Sequence, residues 1–258
     1  MKFSANLGLL WSELPLLDRV YKAKEKNFDA IEFQFPYEVE ANELKKAIDK
    51  INLPVIGINT IKGDVSKGDN GLNAVPSKVR EARTAIDQAI EYAKIVGAKN
   101  VHCMCGITEQ NNNSLKTLVE NLQYAASQLN NSNIGLVIEP KNQNDFPGYF
   151  LTNVENAREI CQLVGNNNVK IMFDFYHVQI SQGNVLTRFK DNFNYIGHVQ
   201  MASVPERNEP IFGELNYSNI LSEIHKFGYQ GYVGAEYNPL TNTDEGLSWM
   251  KKINREDE

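Results

Sequence analysis

Short apolar runs and amphipathic segments alternate along this chain from end to end, and that alternation restricts the possible folds more than any other feature. The apolar runs are KFSANLG, DAIEFQF, PVIGINT, KNVHCMC, IGLVIEP, VKIMFDF, YIGHVQMA and YVGAEY, and each reads as a strand. Between them LLDRVYKAKEKN, ANELKKAIDKIN, SKVREARTAIDQAIEYAKIVG, SLKTLVENLQYAASQL, NVENAREICQLVG, a stretch running through TRFKDNF, and SNILSEIHKFG read as helices. EGLSWMKKIN reads as a closing helix, and REDE after it as a short solvated charge run. Gly97, Gly165 and Gly228 each follow an amphipathic segment, where a helix C-cap is expected. Eight strands alternating with helices in 258 residues predict a single-domain (β/α)8 TIM barrel spanning 1–258. A doubly wound sheet is the structural alternative. It often carries a Gly-rich phosphate turn, and neither GxGxxG nor GxxxxGK[ST] occurs here.

Four of the runs end on an oxygen-bearing side chain: Glu139, Asp174, Gln200 and Glu236, about 26 to 36 residues apart. A carboxylate at the end of a buried strand is costly unless something pairs with it. Barrel chemistry sits at the carboxyl ends of the strands. Three carboxylates and one amide oxygen there suit a hard divalent ion such as Mg2+ or Mn2+, whereas zinc would favour more His or Cys. Pro140 fixes the turn that presents Glu139. A lone glutamate at a strand end is more often a helix-cap partner or a salt-bridged loop residue, so the argument rests on the four together. His177 lies three residues after Asp174 and can face the same cavity. His102 and His198 fall inside strands and read as satisfied core histidines, while His225 reads as solvated. Glu32, inside the second strand, is a candidate for a catalytic or hydrogen-bonding role.

A net charge of −6 opposes a nucleic-acid partner, which usually needs a basic face. No apolar run approaches the roughly 18 residues of a membrane span, and the start of the chain reads as a strand and turn. Cys103, Cys105 and Cys161 form no disulfide framework, which fits a reducing, cytoplasmic setting. Cys103 and Cys105, a CxC on a predicted strand, read as buried thiols sharing a face. Trp11, Phe35 and Tyr37 are candidates to wall off solvent near the strand ends, with core packing the alternative for Phe35. PIFGELNY is a candidate surface for packing into a homo-oligomer.

Long ungapped stretches are similar to the hydroxypyruvate isomerase family within the xylose-isomerase-like barrel superfamily. They begin with FSANLGLLWSE, FDAIEFQFPY, NTIKGD and GLNAVP, and continue through TLVENLQYAA, IEPKNQNDFPGYFLT and FDFYHVQ. They end with IGHVQMASVPERNEPIFGELNY and GYQGYVGAEYNPLTNTDEGLSWM. The resemblance covers nearly the whole chain. It implies a divalent metal held by Glu139, Asp174, Gln200 and Glu236, with Glu139 and Glu236 also the proton-transfer pair. It implies that His177 and Arg207 hold substrate oxygens. Lys141 and Lys62 depart from the more usual apolar or small residues and are candidates either for a substrate carboxylate contact or for solvated loop positions. Arg207 suits a carboxylate because a guanidinium holds one bidentately; pairing with Glu206 or Glu209 is the alternative.

The implied activity is an isomerase acting on hydroxypyruvate, a small-molecule 2-keto hydroxy acid. A 2-oxo-tetronate isomerase or a ketose 3-epimerase on the same site is the sister reading. HVQ places Gln200 where the epimerases have a His ligand, which counts against the latter. An abasic-site endonuclease on this barrel would need several zinc ions, many histidines and a basic surface. A non-catalytic small-acid-binding barrel is the remaining alternative.

Overall fold

The computed structural model describes residues 1–129 and 132–253; Asn254 and the REDE tail lie outside the described residues. Eight strands form one closed barrel: β1 (Lys2–Asn6), β2 (Ala30–Glu32), β3 (Val55–Asn59), β4 (Ala98–His102), β5 (Gly135–Ile138), β6 (Val169–Asp174), β7 (Ile196–Met201) and β8 (Tyr232–Ala235). Every neighbouring pair is parallel, and β8 returns to β1. Ser4 pairs with Ala30 on one side and with Gly234 on the other, so closure is visible at one residue. This is the (β/α)8 barrel that the alternation predicts.

The helices cover the barrel through apolar stripes at helical spacing. In α2 (Ala41–Ile51), Leu44, Ala47, Ile48 and Ile51 are buried. In the long α3 (Val79–Val96) the inward face is largely alanine, at 82, 85, 89 and 93, which lets the helix approach closely. Gly97 and Gly165 end their helices in the left-handed conformation, at φ 73° and 67°.

Three local readings change. The stretch after β6 is two helices, Phe175–Ser181 and Val185–Asn192, broken where Gly183 and Asn184 both take positive φ. The closing segment is likewise split, into Thr243–Gly246 and Trp249–Ile253. β4 ends at His102, so Cys103 and Cys105 lie beyond the strand rather than sharing a strand face. Both are buried free thiols, and burial pushes the Cys103 thiol up to about 12. No helix among the described residues is long and apolar enough to cross a membrane.

The segment that closes the chain is anchored by one side chain. Trp249 is fully buried, meets Phe3 edge-on at 5.0 Å, and donates from its indole to the Tyr237 hydroxyl at 3.0 Å. Trp249→Ala should therefore destabilise the barrel by about 3–5 kcal/mol, read as a lowered urea midpoint at unchanged m-value. A loss below about 1 kcal/mol would mean that the closing helix is not part of the cooperative core.

Candidate active site

Parallel pairing brings the four strand-end residues to one mouth of the barrel. Asp174 is the last residue of β6 and registers with Gln200 on β7. Gln200 registers with Gly234, two residues before Glu236, whose backbone N–H donates to the Met201 carbonyl. Glu139 follows β5 directly. All four are buried: Glu139 2%, Asp174 0%, Gln200 3% and Glu236 6% exposed. Three of their oxygens, Glu139 Oε1, Asp174 Oδ2 and Gln200 Oε1, have no hydrogen-bond partner.

Two cations are built into the same cup. Lys141 Nζ lies 3.1 Å from Glu139 Oε2 and 4.6 Å from the centre of the Phe146 ring. Arg207 Nη2 lies 3.6 Å from Glu236 Oε2 and 3.9 Å from Asp174 Oδ2, with its guanidinium 5.0 Å from the Tyr176 ring centre. It faces the cup and pairs with neither Glu206 nor Glu209. The loop after β7 makes this possible. Arg207 adopts φ 55°, and its carbonyl accepts from Asn238 N at 2.8 Å, which ties that loop to the one after β8. Both Arg207 contacts are longer than hydrogen bonds, and its Nε has no partner. Gln34 Nε2 donates to Glu236 Oε1 at 2.7 Å. Lys62 is half-buried with its ammonium 5.0 Å from the Phe35 ring centre; burial and the Lys141 charge lower its pKa.

Burial raises the Glu139 carboxyl, and Lys141 opposes that rise while Glu236 adds to it. Burial likewise lifts Asp174 well above the usual carboxylate range, reinforced by Glu236 and Glu139 and opposed by Arg207. For Arg207, burial works against the charged form, but Glu236, Asp174 and Glu139 together outweigh it and the pKa rises.

His177 joins the cup as well, with Nε2 3.6 Å from Glu139 Oε1 and 3.8 Å from Asp174 Oδ2. Glu139, Asp174 and His177 form a compact cluster whose ligand atoms lie within 4.8 Å of one another. The tautomer decides what this ring can do. The backbone N–H of Asn142 points at Nδ1 at 3.4 Å, and the Asn142 side-chain amide donates to it at 2.7 Å. The amide orientation is fixed independently, because Asn142 Oδ1 accepts from the backbone N–H of Asp145. Nδ1 is therefore an acceptor and the proton sits on Nε2. An N–H aimed into the cup is a donor for an oxygen, not a metal lone pair.

A divalent ion fits what remains. The unpartnered oxygens of Glu139, Asp174 and Gln200, with Glu236 beside them, form the hard-oxygen donor set such an ion takes, and no cysteine is among them. Beneath lies a cavity of about 20 Å3 lined by Asn6, Glu32, His102, His198, Glu139 and Gln200, among others. His198 is satisfied there by Glu32, at 2.7 Å. His102 is satisfied only at Nδ1, by Asn59; its Nε2 faces Glu139 at 3.8 Å without a partner. Trp11, in contrast, is committed to the Asp244 carboxylate and the edge of Phe28. Tyr37 donates to the Asn59 carbonyl and meets Tyr92 edge-on.

Gln34 and Asn142 are contacts the sequence reading lacked. Gln34 carried a signal, since it stands two residues after Glu32 in EFQF. Asn142 carried none, because its role depends on a turn that returns to His177.

The chain matches the model of the xylose isomerase-like TIM barrel over residues 20–253. It belongs to that family. It is 40% identical to the hydroxypyruvate isomerase of Escherichia coli, over 97% of this chain and 98% of the relative. It is 39% identical to the 2-oxo-tetronate isomerase of Cupriavidus necator, over 97% of both. The expectation of an enzyme of the isomerase class is borne out by these names. Among solved structures, one called AP endonuclease, family 2, from Brucella melitensis superposes with a TM-score of 0.94 at 36% identity, covering 97% of this chain and 98% of that one. The 3-keto-D-glucoside 4-epimerase of E. coli, at 21% identity and a TM-score of 0.80 over 98% and 99%, shares the fold.

Burial holds His102 and His177 well below the usual histidine range, reinforced by Lys141 at His102 and by Arg207 and Lys141 at His177. Both rings should stay neutral as the pH falls from 7 through about 6.5, where a free histidine takes up its proton, and His177 should carry its proton on Nε2. Nitrogen-15 ring spectra across that range check this; a His177 titration near 6.5 would contradict the geometry.

Proposed function

We propose that the protein is an isomerase of short 2-keto hydroxy acids that interconverts hydroxypyruvate and 2-hydroxy-3-oxopropanoate (tartronate semialdehyde). The observation that carries this reading is the combination of an acidic cup with a half-buried guanidinium, 16% exposed, whose donors are unspent. The cup suits a divalent ion, and Arg207 suits a carboxylate on the substrate. A neutral ketose offers Arg207 only uncharged oxygens rather than a carboxylate, which weighs against the epimerase alternative. The names of the relatives support a keto-acid substrate. Their near-equal identities leave the four-carbon 2-oxo-tetronate as a second candidate.

The reaction moves one proton from C3 of hydroxypyruvate to C2, through an enediolate, with a hydroxyl proton passing between the two oxygens. Glu139 and Glu236 are the pair assigned to it: one takes the C3 proton as a carboxylate, the other returns a proton to C2. Their surroundings differ, as such a pair requires. Glu139 has an ammonium at 3.1 Å, whereas Glu236 accepts from a neutral amide and has a guanidinium at 3.6 Å. His177 Nε2–H donates to a substrate oxygen. Arg207 holds the substrate carboxylate, with Lys141 and Lys62 adding positive charge on the opposite side. Mg2+ or Mn2+, held by Glu139, Asp174, Gln200 and Glu236, would stabilise negative charge on the enediolate oxygens by several kcal/mol. An abasic-site endonuclease reading has little support, given the acid-rich cup and the net charge of −6.

The test is turnover of hydroxypyruvate and of 2-oxo-tetronate by chelated protein, with and without Mg2+ or Mn2+. Activity should be restored by the ion. Glu139→Gln should lower kcat about 10^2–10^4-fold, the contribution of a positioned acid–base group, with the fold retained by circular dichroism. Arg207→Met should mainly raise KM. Turnover of neither acid would overturn the keto-acid assignment, and a fully active Glu139→Gln would overturn the glutamate pair.

A further inference from the structure

Glu32 lines the same small cavity as Glu139, Gln200 and Glu236 and is 3% exposed. Three side chains converge on its carboxylate. His198 Nε2 lies 2.7 Å and Gln200 Nε2 3.3 Å from Oε2, and the Ser4 hydroxyl lies 3.5 Å from Oε1. The barrel makes room for it at one residue. A Cβ on Gly234 would lie 2.1 Å from Glu32 Oε1 and 2.9 Å from Gln200 Cγ, so only glycine in β8 admits both side chains.

We propose that Glu32 is a positioning residue that fixes the Gln200 side-chain amide with its oxygen toward the ion site. This rests on the ion site proposed above. An amide can present either end, and in an isolated pocket the two orientations differ little in shape. A carboxylate below it removes the choice, because it accepts hydrogen bonds and repels a carbonyl oxygen. The NH2 group turns down to Glu32, and Oε1 turns up. There it is buried without a partner, in the same cup as the unpartnered Glu139 and Asp174 oxygens. The carboxylate is itself held by His198 and Ser4, so the amide is set by a fixed acceptor. A carboxylate so close to Gln200 also favours a cation in the neighbouring site. Outer contacts of this kind usually change metal affinity about 10–100-fold.

The deciding experiment measures Mn2+ binding to the chelated protein by calorimetry, in the absence of substrate. Glu32→Gln, which can turn its own NH2 toward Gln200 and release the amide, should weaken binding about 10–100-fold. Glu32→Asp keeps the charge but withdraws the acceptor by one methylene. A positioning role therefore expects a loss of about 10-fold there too, the low end of the range such contacts show, whereas charge alone expects none. Adding Glu32→Gln to a Gln200→Glu background should cost no further affinity, because a carboxylate has no amide end to misplace, whereas a merely structural role would lower affinity in both backgrounds. Should Glu32→Gln not fold, Glu32→Asp carries the test. Wild-type affinity in both single variants overturns the positioning role while leaving the ion site standing. Failure of the wild-type protein to bind Mn2+ overturns both.

Discussion

Glu139, Asp174 and Gln200 each bury an oxygen with no hydrogen-bond partner in one small volume, and the rest of the site is arranged around that cost. Leaving one buried polar group unsatisfied costs about 1–3 kcal/mol, and more when it is charged. Three together are large beside a typical net stability of about 5–15 kcal/mol. Lys141, Arg207 and Gln34 offset part of it, at 3.1, 3.6 and 2.7 Å from the carboxylates. None of them hydrogen-bonds to the three bare oxygens; Arg207 comes nearest, 3.9 Å from Asp174 Oδ2. Acceptors without donors are the complement of a cation rather than of another hydrogen-bonding side chain.

Holding such a cup needs a scaffold that supplies strand ends at fixed height and rigid spacing. Parallel pairing provides it, because register alone sets Asp174 beside Gln200 and Gln200 beside Gly234. The polar layer then continues downward through Glu32, His198 and Ser4, where a barrel interior would otherwise be filled by Val, Ile and Leu. Gly234 illustrates the compromise. Glycine weakens a strand, yet any side chain there would collide with Glu32. A local propensity is given up at the one position where the site requires space, which is where disagreement between local and global preferences is expected.

The barrel was legible because its signals are periodic: runs of buried strand residues, helical stripes such as Leu44, Ala47, Ile48 and Ile51, and glycine caps at 97 and 165. The strand-end positions of Glu139, Asp174, Gln200 and Glu236 were legible because a carboxylate or amide closing an apolar run is conspicuous. The boundaries that moved did so for short-range reasons, such as the paired positive φ values at Gly183 and Asn184. Gln34 reaches Glu236 across 202 residues, and Asn142 reaches His177 across 35, so neither partnership leaves a local trace. Arg207 could equally have paired with its sequence neighbours Glu206 or Glu209. Its inward direction depends on a left-handed backbone and on the Asn238 contact, both products of the folded loops.

The two sides of the mouth differ in how their cations are committed. Lys141 makes a close ion pair with Glu139 and is backed by the Phe146 ring, so its charge largely serves that glutamate. Arg207 stands off from its acids at 3.6 and 3.9 Å with Nε unmet, although burial of a guanidinium without full pairing is costly. Acids that give their oxygens to a divalent ion have less charge left for Arg207. An anion on the substrate is then the partner that completes its hydrogen bonding. In the proposed isomerase the ion and the substrate carboxylate are thus coupled through Glu236 and Asp174: filling the first site raises the demand for the second. That coupling favours a keto acid over a ketose of the same length, because only the acid offers Arg207 a charged, bidentate partner.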